Sequence, residues 1–511
     1  MQKRATTSEG VGLETDDPLA YQARTGPGRS AVVEIATGLA LSYRELNELT
    51  GRIGGWLQAF GSAQKPSRIA YLGRNSIAQI ATCLACQRIG FVFVPLNWRL
   101  GARELAAIIE DCAPDLILSD AEFLPVLSGV DAREIVAIEG EQGLLAQAAQ
   151  CSDPAEVRFP CDHPCIMLYT SGTTGKPKGV VITRGNAYAS ALNFAMVGNL
   201  TAQSVTLCDL PFFHTIGLVA IGRTTLTMGG RLVISDRFLP ERSLATLGDP
   251  KLGVTHYFAV PQMAAALKSS AHWNPKALTA LQAIFIGGAP LSPSLIESFL
   301  ADGIPLVNGY GMSEAGTALH MPLDRDAVRA HPGSVGYPAP LLDMRLVDDN
   351  GEDVDDGAVG EIWLRGPSVT PGYWNKPEET TRAFVDGWYR TGDLGRKDAS
   401  GVYFVPDRLK DMYITGGENV FPAEVEAVIG AHPRVVDVAV IGVPDPKWGE
   451  TGLAFIVAGK EPPNLDEIVM LCGERLAHYK RPSQFLFVES IPRTASGKAQ
   501  KHVLRANHAV R

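Results

Sequence analysis

Tyr169-Thr-Ser-Gly-Thr-Thr-Gly-Lys-Pro-Lys-Gly179 is the stretch from which the rest of this chain is best read. Gly172, Gly175 and Gly179 permit close or left-handed turns, because a residue without Cβ escapes the clash that bars positive φ. Ser171, Thr173 and Thr174 offer hydroxyls and neighbouring amides to anionic oxygens, while Lys176 and Lys178 add positive charge. The stretch therefore reads as a phosphate-binding loop. It is not a P-loop: Pro177 follows Gly175-Lys176 where that motif requires Ser or Thr, and Thr170 stands at its first glycine position. Ile166-Met-Leu-Tyr169 before the loop is a short strand candidate, and Asn186 to Val197 after it has the composition of a helix.

Outward from the loop the same alternation continues. Leu46, Leu49, Ile53 and Leu57 recur at helical spacing, with Ser42 and Glu45 placed to form a capping box. Strand-like Ile69-Ala-Tyr-Leu72 follows, then an apolar helix from Ile77, then Val92-Phe-Val-Pro95. Further strand candidates are Arg231-Leu-Val-Ile234, Ala283-Ile-Phe-Ile286 and Gly360-Glu-Ile-Trp-Leu364. Alternating elements of this kind predict an α/β fold, with a large multi-subdomain N-terminal domain built on covered β-sheets. Turn-rich sequence near Val405-Pro-Asp-Arg-Leu-Lys-Asp411 suggests a boundary, followed by a turn at Ile414 to Pro422, a short helix over Glu424 to Ile429 and a β-rich run from Val435 to Val443. The expected organisation is a large domain over residues 1–407 and a smaller, mobile α+β C-terminal domain over 408–511.

Composition narrows the function. With 46 Lys and Arg against 55 Asp and Glu, the formal charge of -9 disfavours a general nucleic-acid surface and makes any phosphate site a local one. The N-terminal stretch has no apolar run after its cations, and Ile77 to Leu96 is interrupted by Gln79, Gln87, Arg88, Gly90 and Pro95; neither a signal peptide, a membrane anchor nor an integral membrane segment is indicated, and the cytoplasm is the expected compartment. The 8 cysteines are too sparse for a secreted disulfide scaffold. Cys83-x-x-Cys86 has a metal-like spacing but lies in an apolar segment without a second pair, which favours buried structural thiols. Cys161-Asp-His163-Pro-Cys165 reads as a turn and strand entry.

Five further segments follow the glycine loop in order: Asn308-Gly-Tyr-Gly-Met-Ser-Glu-Ala-Gly316, Tyr389-Arg-Thr-Gly-Asp393, Asp407-Arg-Leu-Lys-Asp411, Gly416-Gly-Glu-Asn-Val-Phe-Pro422, and Pro492-Arg-Thr-Ala-Ser-Gly-Lys-Ala499. With the loop, this ordered set resembles the adenylate-forming superfamily of acyl-CoA synthetases, luciferases and peptide-synthetase adenylation domains, over almost the entire chain. The resemblance implies an AMP-forming acid–CoA ligase that uses ATP, Mg²⁺ and coenzyme A, first making an acyl-adenylate and then a thioester.

Each matched position acquires an expected role from that resemblance. Thr170, Ser171, Gly172, Thr173, Thr174, Gly175, Lys176 and Lys178 would cradle the triphosphate, and Glu314 would hold Mg²⁺ through hard oxygen ligands. Tyr310 would pack on adenine, beside the wall that Gly288 and Ala289 help to build. Ser313, where many relatives carry Thr, would touch the α-phosphate. Asp393 would receive the ribose hydroxyls, with Arg408 a cationic donor nearby. Lys498 would bridge carboxylate and phosphate as the adenylation cation, an electrostatic role because the substrate acid is already ionised near neutral pH. Lys410 matches the hinge about which relatives rotate their small domain. Gly416 and Gly417 match the pantetheine path, where missing side chains leave room for a narrow chain.

Pro211-Phe-Phe-His214 resembles the aromatic gate before the acyl pocket, with His214 moving aside as the acid enters. Phe212, Phe213, Phe258, Val260, Met263, Phe285 and Ile286 make the expected pocket vocabulary apolar, and no basic pair is present for a second carboxylate. A medium or long aliphatic acid, or an aryl-containing one, is the expected substrate. Transfer to a carrier protein and noncatalytic nucleotide binding are the competing readings; a monomer and a homodimer are both compatible with one chain.

Overall fold

Helix Ile77–Arg88 shows how the first part of the chain folds. Every residue from Ile77 to Gln87 is buried, so the helix lacks a polar stripe and packs between helix Tyr43–Leu57 and strands Val92–Leu96 and Pro164–Ser171. Cys83 and Cys86 lie in this interior as free thiols, as the apolar context predicts. Helix Tyr43–Leu57 begins with the expected capping box, in which Ser42 Oγ accepts the Glu45 N–H and Glu45 Oε2 accepts the Ser42 N–H at 2.8 Å.

The computed structural model describes residues 17–61, 66–130, 134–154, 158–171, 177–288, 291, 293–405, 411–415, 418–446, 448–459, 461–494 and 498–509. The chain packs into two compact units that interleave in sequence: Met1–Leu192 with Pro211–Asp236 and Pro367–Thr380, and Asn193–Leu210 with Arg237–Gly366 and Thr381–Arg511. The expected boundary at 407 and 408 lies outside the described residues.

A six-stranded sheet organises the first unit, in the order Ile135–Ala137, Leu116–Ser119, Arg68–Leu72, Val92–Leu96, Pro164–Ser171, Pro177–Thr183. Its central strands are parallel and buried along their whole length, which is why their sequences are continuous apolar runs rather than alternations. The last two strands are antiparallel, and the glycine-rich loop joins them.

In the second unit, strands Val205–Cys208, His256–Ala259, Ala283–Ile286 and Leu306–Met312 run parallel, and the last of them turns back through antiparallel Gly316–His320. A smaller antiparallel sheet follows, in which Val359–Arg365 pairs with Asp343–Val347 on one side and Trp388–Lys397 on the other. The C-terminal portion forms an α+β body. Strands Val435–Asp445 and Gly449–Ala458 make its long central hairpin, Gln484–Phe487 adds in parallel, and helices Pro422–Gly430 and Leu465–Arg475 close one apolar core around Val440, Ala454 and Ile456. The fold class is thus the expected one, α/β sheets in a large N-terminal part and a smaller α+β C-terminal domain. Six of the cysteines are buried and two, Cys151 and Cys161, are half-buried, all of them free. Among the described residues no helix is long and apolar enough to cross a membrane.

Candidate active site

The loop hairpin is held from both sides. Thr170 lies opposite Lys178 and Ser171 opposite Pro177, so the two strands deliver both ends of the loop at one sheet edge. Gly172, Thr173, Thr174, Gly175 and Lys176 fall outside the described residues. The Lys178 ammonium stands 5.2 Å above the ring of Tyr373, a cation–π contact that holds its stem beside the loop's exit. On the entry strand, Tyr169 donates its hydroxyl to Asp111 at 2.7 Å, and Lys376 donates to the other Asp111 oxygen at 2.5 Å. Burial, reinforced by Asp111, holds the Tyr169 phenol far above its ordinary range, so it stays a donor. Asp111 and Lys376 were not legible as loop supports in sequence, being distant from the loop and lying in segments of ordinary surface composition.

His214 sits half-buried in the turn that leads into a π-helix, Ile216–Arg223, and its carbonyl accepts the Leu218 N–H at 3.0 Å. Short π segments widen a helix and often mark functional sites. The turn is fixed from behind by Asn75, whose Oδ1 accepts the Phe212 N–H at 2.7 Å. Phe213 stands edge-on to Trp98 at 6.3 Å, and Arg99 lies over both rings.

In the second unit, Gly288 follows strand Ala283–Ile286 with a φ of +87°, a turn open to glycine, and Ala289 lies outside the described residues. The expected pocket walls need correction here. Phe285 and Ile286 are fully buried, as is Phe212 in the first unit, so these three are packing residues rather than pocket surface. Phe285 stacks on His256 and meets Phe194, Phe258 and His320, an aromatic core that consumes its faces. Phe213, Phe258, Val260 and Met263 each keep a sliver of exposure.

The middle segment, expected to meet the nucleotide, is a strand, a tight turn and a returning strand. Tyr310 pairs with Leu319 and Gly311 with Thr317, with a bulge between Tyr310 and Gly311 that re-aims the tyrosine. A Cβ on Gly311 would lie 2.3 Å from the Gly316 carbonyl oxygen, so this glycine is required by the approach of the two strands. Ser313 and Glu314 occupy the turn at its tip and are half-buried, positions from which a hydroxyl and a carboxylate can reach ligand oxygens.

Tyr310 donates its hydroxyl to Asp393 Oδ2 at 2.6 Å. This bond joins two motifs that are distant in sequence. Asp393 is 4% exposed, on strand Trp388–Lys397, and its approach is set by its own neighbours. Its N–H donates to Thr391 Oγ1 at 3.0 Å, and that hydroxyl donates to the Ile362 carbonyl at 2.8 Å. Buried Glu361 then gathers the Gly392 N–H, the Trp363 indole N–H and Arg390 on one carboxylate. Glu361 was overlooked in the sequence, where a lone acid in an apolar strand gave no pattern to follow. His320, opposite Gly309 in the hairpin, was overlooked too. Its Nδ1–H donates to the Met321 carbonyl, its Nε2 is buried with no hydrogen-bond partner among the described residues, and burial pushes its pKa down to about 4, so the ring is neutral.

Arg408, Lys410, Gly416 and Gly417 lie outside the described residues. The strands on either side of the glycine pair, Tyr413–Thr415 and Glu418–Val420, are antiparallel with Thr415 opposite Glu418. Lys498 is half-buried and bonded to Thr494, whose N–H donates to the Lys498 carbonyl at 2.8 Å and whose Oγ1 accepts the Lys498 N–H at 3.1 Å.

The chain is similar to known proteins over most of its length. Residues 19–374 match the family described as AMP-binding enzyme, and residues 424–498 match the AMP-binding enzyme C-terminal domain. Feruloyl-CoA synthase of an Amycolatopsis species is 37% identical over 485 residues, 95% of this chain and 97% of that protein. Indoleacetate–CoA ligase of Aromatoleum aromaticum is 35% identical, covering 91% of this chain and 92% of its own. The structure of O-succinylbenzoate coenzyme A synthetase from Bacillus subtilis in complex with ATP and magnesium ion superposes with a TM-score of 0.86 at 30% identity, over 96% of this chain and 100% of that one. From the ordered motifs, the Tyr310–Asp393 junction and these likenesses together, the chain belongs to the AMP-binding enzyme family and is an AMP-forming acid–CoA ligase.

Proposed function

We propose that the acid this enzyme activates is an aryl-substituted monocarboxylic acid, that the half-buried site residues named above carry out the activation, and that Lys498 supplies the cation for it. The observation that carries the assignment of the nucleotide site is the hydrogen bond from Tyr310 to Asp393, which unites two separate motifs on one surface. The acid class is supported by the feruloyl and indoleacetate ligases among the similar proteins and by the apolar residues that keep some exposure, Phe213, Phe258, Val260 and Met263.

In the first step a carboxylate oxygen attacks the α-phosphorus of ATP and pyrophosphate leaves. Both reactants are anions, so the chain's task is to hold them together and offset the charge that gathers on phosphate oxygens. Thr170, Ser171 and Lys178 flank the loop that receives the triphosphate. Ser313 offers a hydroxyl to the α-phosphate, Tyr310 and Asp393 orient the adenosine, and Lys498 sets the acid against the phosphorus. The half-buried Glu314 carboxylate suits a hard dication, and Mg²⁺ bound there would draw negative charge from the phosphates. His214 moves aside as the acid enters for this first step; in the second step the coenzyme A thiol attacks the acyl carbon and AMP leaves, with Gly416 and Gly417 giving the pantetheine chain room. Lys410 serves as the hinge, and Arg408 adds a cation near the ribose.

Incubation with ATP, Mg²⁺, coenzyme A and a panel of cinnamic, arylacetic, medium-chain and long-chain acids tests this directly. The expected result is AMP, pyrophosphate and acyl-CoA in equal amounts, with the aryl acids giving the highest kcat/KM. A preference for long aliphatic acids would reject the aryl assignment; no acid-dependent pyrophosphate would reject the site.

A further inference from the structure

The residues on either side of Lys498 are tied into the C-terminal domain by three ion pairs. Arg493 grips Asp437 of strand Val435–Asp445 with two nitrogens, Nε at 3.0 Å. Lys501, which opens helix Lys501–Ala509, meets Glu426 of helix Pro422–Gly430 at 3.0 Å, and the same Glu426 oxygen accepts the Val440 N–H at 2.7 Å. One helical turn later Arg505 meets Asp411 at 3.1 Å. Between these pairs, Ala499 and Leu504 pack into an apolar cluster with Ile441, Leu453 and Ile491.

These contacts are not incidental surface pairs. Lys501 is 8% exposed and stands at a helix N-terminus, where the helix dipole disfavours a cation, so without Glu426 its placement would be costly. Asp411 is mostly buried too, its side chain 14% exposed. Three attachments thus hold the residues that flank Lys498 to strand Val435–Asp445, to helix Pro422–Gly430 and to Asp411. The Arg505–Asp411 pair is distinctive among them, because Asp411 lies at the start of the C-terminal domain while Arg505 lies beyond Lys498 near its end. It therefore links the way into the domain with the element that follows the lysine.

We infer that Arg505, through Asp411, is a positioning residue for adenylation: it sets where the Lys498 ammonium stands without touching nucleotide or acid. The inference rests on the reading of Lys498 as the adenylation cation. A misplaced charge costs the step that uses it, and the step that does not use it is spared.

The test uses full-length enzyme and two separate measurements, acid-dependent pyrophosphate release with ATP and Mg²⁺, and acyl-CoA formation from supplied acyl-AMP and coenzyme A. Arg505→Gln and Asp411→Asn are each expected to lower the adenylation kcat about tenfold, with KM for ATP and acid within about twofold and thioester formation unchanged. The charge swap Arg505→Asp with Asp411→Arg is expected to recover most of that loss. Equal losses in both measurements with a lowered melting temperature would show a purely structural pair and overturn the inference, as would unchanged adenylation. Lys498→Met separates the two levels. Should it retain adenylation, the reading beneath the inference falls; should it abolish adenylation while Arg505→Gln has no effect, only the positioning role falls.

Discussion

Tyr310 and Asp393 show how one hydrogen bond carries consequences for ligand and stability alike. Asp393 is 4% exposed, and its Oδ2 accepts a hydrogen bond from the Tyr310 hydroxyl. Removing that donor takes one hydrogen bond from a buried carboxylate, a loss of about 1 to 3 kcal/mol on general grounds. Tyr310→Phe is therefore expected to lower the denaturant midpoint and to weaken ATP binding measured by calorimetry, while Asp393→Asn, which keeps the shape but loses the anion, should weaken ATP more than it weakens the fold. Equal ATP affinity in both variants and wild type would contradict the adenosine role. His320 gives a prediction in pH. Its folded pKa of about 4 lies below the ordinary 6.5, so the unfolded chain binds the extra proton first; the stability is full above pH 6.5 and is lost as pH falls through 4. The difference corresponds to about 3 kcal/mol, to be read as a falling urea midpoint between those limits that His320→Leu flattens. Neither Glu361 nor His320 was legible in the sequence. A lone buried polar residue in an apolar strand has no periodicity, and only the backbone folded around it reveals what it holds.

Turns made two of the motifs readable in the sequence, since each of these coincides with a break between strands, whereas Tyr389–Asp393 lies within strand Trp388–Lys397. The glycine loop falls between two antiparallel strands, and the Tyr310 segment falls at a bulged hairpin. The close approach of those hairpin strands explains Gly311, and it makes a prediction: Gly311→Val should abolish adenylation and lower expression of folded protein, because its Cβ would collide with backbone rather than with a movable side chain. A Gly311→Val enzyme with normal thermal stability would show that the hairpin relaxes. Helix starts were equally legible, the capping box of Ser42 and Glu45 being formed as read; Ser42→Ala should cost about 1 kcal/mol in urea denaturation. The apolar pocket was misread in part for a reason of scale. Phe285 and Ile286 lie on a central parallel strand, where both faces are covered, and apolar character alone does not separate a wall from a core.

Across the whole molecule, the family was visible in the order of motifs, whereas the interleaving of the two compact units was not, because segments 211–236 and 367–380 return to the first unit by tertiary packing that no local pattern encodes. The interior placement of the thiols has a practical reach of its own. Burial pushes Cys83 and Cys112 up to about 12 and Cys472 to about 11, and raises Cys86, Cys165 and Cys208 as well, so these six remain protonated and shielded near pH 8. Native enzyme should react rapidly with an aromatic disulfide reagent at no more than Cys151 and Cys161, and at all 8 cysteines once unfolded; rapid native labelling of three or more would contradict this. A colorimetric thiol titration can then follow the disappearance of free coenzyme A in the presence of active protein, with the catalyst itself contributing little to the signal.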